Sequence, residues 1–174
     1  MDKAAQDHIN GVLDHKKLVA LYMNHIASEL FMRSAVHDNS KFSPEEFDAF
    51  VEATPQLKDL TYGSDEYKQA LAKIKPALEH HYLVNRHHPE FHTNGINNMS
   101  LIDVIEMLCD WMAAIQRVKY GDIHKSLEIN KERFGIEEQL QRIISNTVQD
   151  IELYYGREHL KWQVQTIEGE EKDE

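Results

Sequence analysis

Apolar residues along this chain recur every three or four positions, which is the spacing of one face of an α-helix. No segment alternates apolar and polar residues for long enough to predict a strand. The 7 glycines and 4 prolines among 174 residues are too few for a β-sandwich, which needs a turn every few residues. The sequence therefore predicts an all-α fold of about six to eight helices in one compact domain, residues 1–167, followed by a solvated acidic tail at 168–174.

The first predicted helix, from about Asp7 to Ser34, carries a single apolar stripe at helical spacing. His15 lies between Val12 and Val19 on that stripe, so we expect its side chain to point inward. The other members of the stripe are Tyr22, Ile26 and Leu30.

Capping residues mark where other helices begin and end. Ser43 and Glu46 predict a capping box for a helix that ends before Pro55. Pro76 is expected to kink or split the helix capped by Ser64, because proline lacks a backbone donor. After a loop at 89–99, further helices are expected over about 100–120 (with a capping box at Ser100 and Asp103), 122–134 and 136–155, and a last short helix includes Trp162.

The charge balance limits the partners of this protein. With 19 basic and 30 acidic side chains the net charge is −11, so we expect no binding to a nucleic acid duplex or to an anionic membrane. No apolar run reaches the length of a membrane span. The single cysteine, Cys109, excludes an internal disulfide framework, and we expect a cytoplasmic protein. A small anionic substrate would need a local cationic or metal centre.

Histidine is the unusual residue in this composition. Four of the 11 histidines lie close together, at His80, His81, His87 and His88. An adjacent His37–Asp38 pair follows an apolar lead, and Asp110 lies in an apolar helix, where a buried carboxylate needs a partner. Neutral imidazole and carboxylate together suit a divalent transition metal, which means Mn, Fe, Co, Ni or Zn.

The order of these residues resembles a known pattern. His15, the His37–Asp38 pair, the histidine cluster and then Asp110 resemble the H…HD…(H…H)…D order of the HD superfamily, which consists of all-α metal-dependent phosphohydrolases. The segment HD-x-S-K-F at 37–42 is similar to the family signature, with Ser40 in place of its usual glycine. The segment HHY-x2-N-x-HHPE at 80–90 is similar to an uncharacterised HD-like family of bacteria and phages.

The resemblance implies an HD-like helical bundle with one or two divalent ions that hydrolyses a nucleotide or a related small phosphate ester. In this reaction Asp38 would bridge metals or orient the attacking water, and Glu106 would accept a proton. The implied metal ligands are His15, His37, Asp38, His80, His81 and Asp110, with His87 and His88 as second-site ligands or substrate contacts. The side chains expected to hold phosphate oxygens are Lys41, Arg86 and Arg117.

Two other functions stay open at this point. Some HD-fold proteins resemble this ligand order and use two irons to activate O₂, so an oxygenase is the first alternative. The second is a non-catalytic metal-binding module that serves a partner protein. A homodimer is also open, through apolar and aromatic residues of the C-terminal helices, which are Ile143, Ile144, Tyr154, Tyr155 and Trp162.

Overall fold

The computed structural model describes residues 2–61, 63–117 and 121–159, without the side chains of 155–159. Within these residues every regular element is helical, which confirms the all-α prediction. The seven α-helices of this part of the chain are α1 (Lys3–Val36), α2 (Phe47–Lys58), α3 (Asp65–Lys73), α4 (Lys75–Val84), α5 (Leu101–Gln116), α6 (Ile123–Phe134) and α7 (Glu138–His159). Short 3₁₀ turns lie at Asn39–Phe42, Pro89–Phe91 and Gly95–Asn98. The predicted tail at 168–174 and the helix around Trp162 lie outside the described residues.

The hydrophobic core lies between α5, α6 and α7. Met107 and Leu127 are each only 1% exposed, and the Trp111 ring stacks on Phe134 with a centroid separation of 6.1 Å. The other buried apolar members are Ile96, Val104, Leu108, Ile123, Ile136, Ile144 and Val148. Burial of this side of α5 leaves its acidic residues on another face, towards the end of α1.

Several predicted helix boundaries are confirmed. The Ser64 side chain accepts a hydrogen bond from the backbone of Tyr67, and the chain divides at Ile74 with Pro76 in the first turn of α4. Ser100 and Asp103 form the predicted capping box. The reason is local: a cap needs only partners within one turn, and proline interrupts a helix through its own ring.

The predicted capping box at Ser43 and Glu46 is wrong. The helix α2 begins only at Phe47, and the Glu46 side chain is fully buried against two histidines of α4 instead of reaching back to Ser43. The predicted stop before Pro55 is also wrong, since α2 continues through that residue to Lys58. One lost backbone hydrogen bond is tolerated there because α2 is largely exposed and water can solvate the freed carbonyl.

The inward-facing stripe predicted for the first helix is wrong as well. None of the 34 residues of α1 is buried, and His15 is exposed with its neighbours Val12 (44%) and Val19 (42%). Helical spacing determines which side chains share a face, but it cannot show whether another element packs on that face. Only the C-terminal end of α1 is held to α5, where Arg33 binds Asp103 at 2.6 Å.

No helix within the described ranges combines the length and the apolar character that crossing a membrane requires.

Candidate metal centre

The ends of α1 and α4 bring together histidines that are distant in the chain. His37 caps the C-terminus of α1, and His81 lies in the last turn of α4. His87 and His88 follow α4 and turn back towards it, so that the rings of His81 and His88 lie 4.9 Å apart. Asp38 adopts a left-handed backbone conformation (φ 59°), which aspartate tolerates better than most residues. This turn directs its carboxylate into the histidine cluster.

A first set of donor atoms comes from Asp38, His81, His87 and His88, whose donors all lie within 4.8 Å of one another. Nε2 of His81 lies 3.2 Å from Asp38 Oδ1, and Nε2 of His87 lies 3.5 Å from the same oxygen. Neither approach has the geometry of a hydrogen bond. Asp38 Oδ1, His87 Nε2 and His88 Nε2 are buried and have no hydrogen-bond partner among the described residues. Such atoms are unfavourable unless something binds them, and a divalent cation fits this donor set.

A second set of donors shares Asp38 with the first. It consists of His37, Asp38 and Asp110. Nε2 of His37 lies 3.6 Å from Asp38 Oδ2 and 3.6 Å from Asp110 Oδ1. Each of these side chains is about one-quarter exposed, so this side of the cluster is open to solvent. The two sets together offer donors for two cations, one on each side of the Asp38 carboxylate.

Two glutamates fix the orientation of the imidazole rings. Nδ1 of His81 donates to Glu46 Oε2 at 2.9 Å, and Nδ1 of His37 donates to Glu106 Oε1 at 2.9 Å. Nδ1 of His87 lies 3.3 Å from the same Glu106 oxygen. All three rings therefore present Nδ1 to a carboxylate and Nε2 to Asp38. A carboxylate on one ring nitrogen sets the tautomer and makes the other nitrogen a better metal ligand.

A polar network holds Glu46 in place. Ser40 donates to Glu46 Oε2 at 3.1 Å and accepts from the Asn85 amide at 2.7 Å. The same amide donates to the backbone carbonyl of His81 at 2.8 Å. His80 donates from Nδ1 to the other Glu46 oxygen at 2.8 Å. It therefore contacts the residue that orients His81 and is not itself one of the donors. Glu46 thus connects α4 to the turn that carries Asp38.

The environment divides the histidines into two protonation classes. The Asp110 carboxylate, together with Glu106 at the other nitrogen, raises the pKa of His37 to about 9. Burial and the neighbouring His87 lower the pKa of His88 to about 3, and burial also lowers the pKa of His87. At neutral pH His87 and His88 are therefore neutral and offer lone pairs, while His37 holds a proton where a cation would otherwise bind.

The two aspartates are ionised. Burial by itself would raise the pKa of Asp38, but the adjacent imidazole of His81 and the charge of Lys41 hold it well below its ordinary value. Burial by itself would also raise the pKa of Asp110, but His37 lowers it below its ordinary value. Metals bind carboxylate in its ionised form and imidazole in its neutral form, so most of the donor set is already in the form that a metal requires.

The predicted phosphate-binding cations are mostly paired with acids of the protein. Lys41 Nζ lies 2.5 Å from Asp38 Oδ2, and Arg86 binds Asp103 at 3.2 Å while its side chain stays 53% exposed. Arg117 is exposed at the C-cap of α5, and no ion pair within the described ranges involves it. It follows Asp110 by two helical turns on the same face, about 10 Å along the axis.

The structure brings most of the predicted site residues together and separates two of them. His37, Asp38, His81 and Asp110 meet as predicted ligands, and His87 and His88 join them as donors. His15 does not: it is exposed on α1, and 22 residues of helix separate it from His37, a distance of about 33 Å. His80 contacts Glu46 and lies outside every donor set found within the described residues. Glu106 contacts His37 and Arg33, and its role as a proton acceptor stays a prediction.

Sequence reasoning missed Glu46 and Arg33. The partners of Glu46 lie 34 and 35 residues away, and the strongest partner of Arg33 lies 70 residues away. The only local signals were the charged Glu46 next to a helix start, which suggested a cap, and Arg33 in a largely apolar helix. The motif segments did contain Ser40 and Asn85, whose side chains turn out to support the histidines.

Comparison with known proteins assigns the chain to a family whose function is unknown. Residues 4–152 match the model of a family described as a family of unknown function (DUF5662), and this range includes every residue of the centre. No curated protein matches the chain, and no solved structure matches it.

Proposed function

This chain belongs to the DUF5662 family, whose function is unknown, and we propose that it is a metal-dependent phosphohydrolase. Its substrate is a nucleotide or a related small phosphate ester, and its products are the alcohol and phosphate. The resemblance of the 37–42 segment to the HD signature supports this proposal, together with the geometry of the cluster.

The observation that carries the proposal is the set of unpartnered donors. Asp38 Oδ1, His87 Nε2 and His88 Nε2 are buried, lack hydrogen bonds within the described part of the chain, and converge with His81 Nε2. Buried donors of this kind are unfavourable without a partner, and a divalent cation fits a set of imidazoles and one carboxylate. A divalent cation supplies positive charge that lowers the pKa of water and stabilises negative charge on phosphate oxygens.

The protein's own residues give this centre an inner and an outer side. His81 and His87 are 3% and 2% exposed, so the histidine side excludes solvent. Asp110 and His37 are each 26% exposed and lie where substrate and water have access. In the proposed reaction Asp110 orients the attacking water by accepting one of its protons in a hydrogen bond.

Arg117 is the proposed contact for the remote part of the phosphate substrate. It is exposed on the Asp110 face of α5, and the other cations near the cluster are already paired with acids. A guanidinium about 10 Å from the centre suits a second phosphate of a nucleotide better than the reacting phosphorus itself.

The test is metal analysis of purified protein combined with a phosphate-release screen over nucleotides in added Mn²⁺, Co²⁺ or Ni²⁺. We expect near-stoichiometric transition metal and release that is lost in Asp110→Asn. The variant His25→Ala changes an exposed histidine of α1 and serves as the control with full activity. Metal-free protein that stays inert with all three ions would contradict the proposal.

The same experiment separates the alternatives. Bound iron with O₂ uptake and no phosphate release would favour a di-iron oxygenase, because the shared Asp38 suits that chemistry as well. Bound metal with neither activity, together with partner binding that survives His37→Ala, would favour a non-catalytic module.

A further inference from the structure

The N-terminal arm, which we define as residues 3–29 of α1, has no covering element within the described residues. Every residue of the arm except Ala5 is exposed. At 1.5 Å per residue the arm is about 40 Å long. Isolated helices are only marginally stable in water, and most helices in proteins depend on packing of an apolar face. A helix of this length and composition therefore needs a surface to pack against.

One face of the arm is apolar over its whole length. We call it the arm stripe, and its six large members are Ile9, Val12, Leu13, Val19, Met23 and Ile26. Their exposed fractions run from 40% for Ile9 to 65% for Met23. With Ala20 and Ala27 they follow positions a, d and e of a heptad, and they occupy an arc of about 140° on a helical wheel at 100° per residue. An exposed apolar surface of this extent in a protein marks an interaction site.

We propose that the arm stripe packs against the arm stripe of a second copy of this chain, in antiparallel orientation. This interface is independent of the proposed hydrolase function.

The size of the surface suits a dimer. The arc of about 140° that the arm stripe occupies, on a helical cylinder about 12 Å in diameter and about 40 Å long, presents about 590 Å². Two copies together would bury about 1,200 Å², which lies at the lower end of the range of stable specific interfaces, roughly 1,200–2,000 Å².

The charge distribution favours a second copy over a basic or acidic partner. The acidic and basic side chains of the arm balance each other, since Lys3, Lys16 and Lys17 stand against Asp7, Asp14 and Glu29. The whole excess of −11 lies outside the arm. A neutral apolar face does not attract a strongly charged partner, and two such faces approach each other without repulsion.

The same charges select the antiparallel orientation. The one charged residue on the stripe is Lys16, at a heptad a position. In a parallel pair Lys16 would face Lys16 of the other copy, whereas an antiparallel pair places it opposite Val19. That register also pairs Ile9 with Ile26 and Val12 with Met23. It separates the two acidic bodies by much more than the Debye length of about 8 Å, so their repulsion is screened.

The first test is the mass of the full-length protein by sedimentation equilibrium over a range of concentrations. We expect a dimer of twice 20.3 kDa whose dissociation constant rises at least tenfold in Ile26→Glu, because the antiparallel register places the new charge opposite the apolar Ile9. The matched control is His25→Glu, which adds the same charge to the opposite face of the arm and leaves the dimer intact. Circular dichroism of each variant checks that the helices have formed.

A second test fixes the orientation through engineered cysteines in a C109S background. A V12C chain mixed with an M23C chain forms disulfide-linked heterodimers in the antiparallel register, and neither chain links to itself. Self-linked V12C would overturn the antiparallel arrangement. A monomer at every concentration, for example because residues 160–174 of the same chain cover the stripe, would overturn the dimer.

Discussion

Glu46 accepts a hydrogen bond from Nδ1 of His81 at 2.9 Å, and both side chains are buried, at 0% and 3% exposed. This bond turns Nε2 of the ring towards Asp38 Oδ1, 3.2 Å away. Glu106 does the same for His37. The rings are thus oriented by carboxylates before any ion binds, and such preorganisation lowers the conformational entropy that metal binding would lose.

Glu46→Gln is predicted to weaken metal binding by about 10- to 100-fold, the usual effect of losing a carboxylate behind a histidine ligand. The amide keeps the size of the side chain but removes the charge that strengthens the His81 donor. Metal affinity is measured by competition with a coloured chelator. The neighbouring Glu45→Gln is the control, because Glu45 is exposed, and an equal loss in both variants would contradict the proposed role of Glu46.

His87→Ala is predicted to abolish stabilisation by metal, whereas His15→Ala keeps it. At a free ion concentration 100 times Kd, a native protein gains about 2.7 kcal/mol in free energy of unfolding. His87 lies among the donor atoms, and His15 is exposed on α1. Thermal unfolding of each variant with and without Mn²⁺ gives the increment. Loss of the increment in His15→Ala would restore the ligand role that the sequence suggested for that residue.

Binding of a cation to the second donor set, which consists of His37, Asp38 and Asp110, is predicted to release about one proton at pH 7. The pKa of His37 is raised to about 9, so its ring is protonated at neutral pH and must lose that proton to coordinate. Apparent affinity should therefore rise by about tenfold per pH unit up to pH 9. Calorimetry in buffers of different ionisation enthalpy counts the proton. Binding without proton release would show that the cation avoids His37.

Asp103→Asn is predicted to destabilise the fold by about 3 kcal/mol at pH 7, because it leaves Arg33 and Arg86 without their shared buried partner. Hydrogen bonding to Arg33 outweighs burial and holds the pKa of Asp103 below its ordinary value of 3.8. The carboxylate therefore stabilises the fold above that pH, and its contribution fades as the pH falls further.

Urea denaturation of wild type and Asp103→Asn at pH 7 and at pH 3 measures this difference. We expect the gap between the two proteins to be smaller at the lower pH. Asp65→Asn, at an exposed position of α3, should stay within about 0.5 kcal/mol of wild type. A gap that does not depend on pH would mean that Asp103 acts through its two hydrogen-bond acceptor oxygens and not through its charge.

Much of the secondary structure was predictable because its causes are local. Ser64 and Ser100 cap helices with partners three residues away, and Pro76 divides α3 from α4 through its own ring. The errors came where distant residues compete for a side chain. Glu46 had the right spacing for a cap with Ser43, but two histidines of α4 bind it more strongly.

The candidate site was predictable in its chemistry and only partly in its membership. Asp110 was identified because a carboxylate among apolar neighbours needs a partner. His80 and His87 lie seven residues apart, a spacing that would place them on one face of a continuous helix, but α4 ends at Val84 and the chain turns. His87 therefore meets His81 and His88, and His80 faces Glu46.

By itself, the sequence determined that the chain forms helices and that histidine and aspartate are its candidate metal ligands, because both inferences depend on residue type and on spacing within a few turns. Only the tertiary structure decided that His81 lies in the centre and that His80 and His15 lie outside it. Those positions depend on contacts between residues tens of positions apart, such as Arg33 with Asp103, and on which faces of α1 remain uncovered. Helical periodicity carries no information about either.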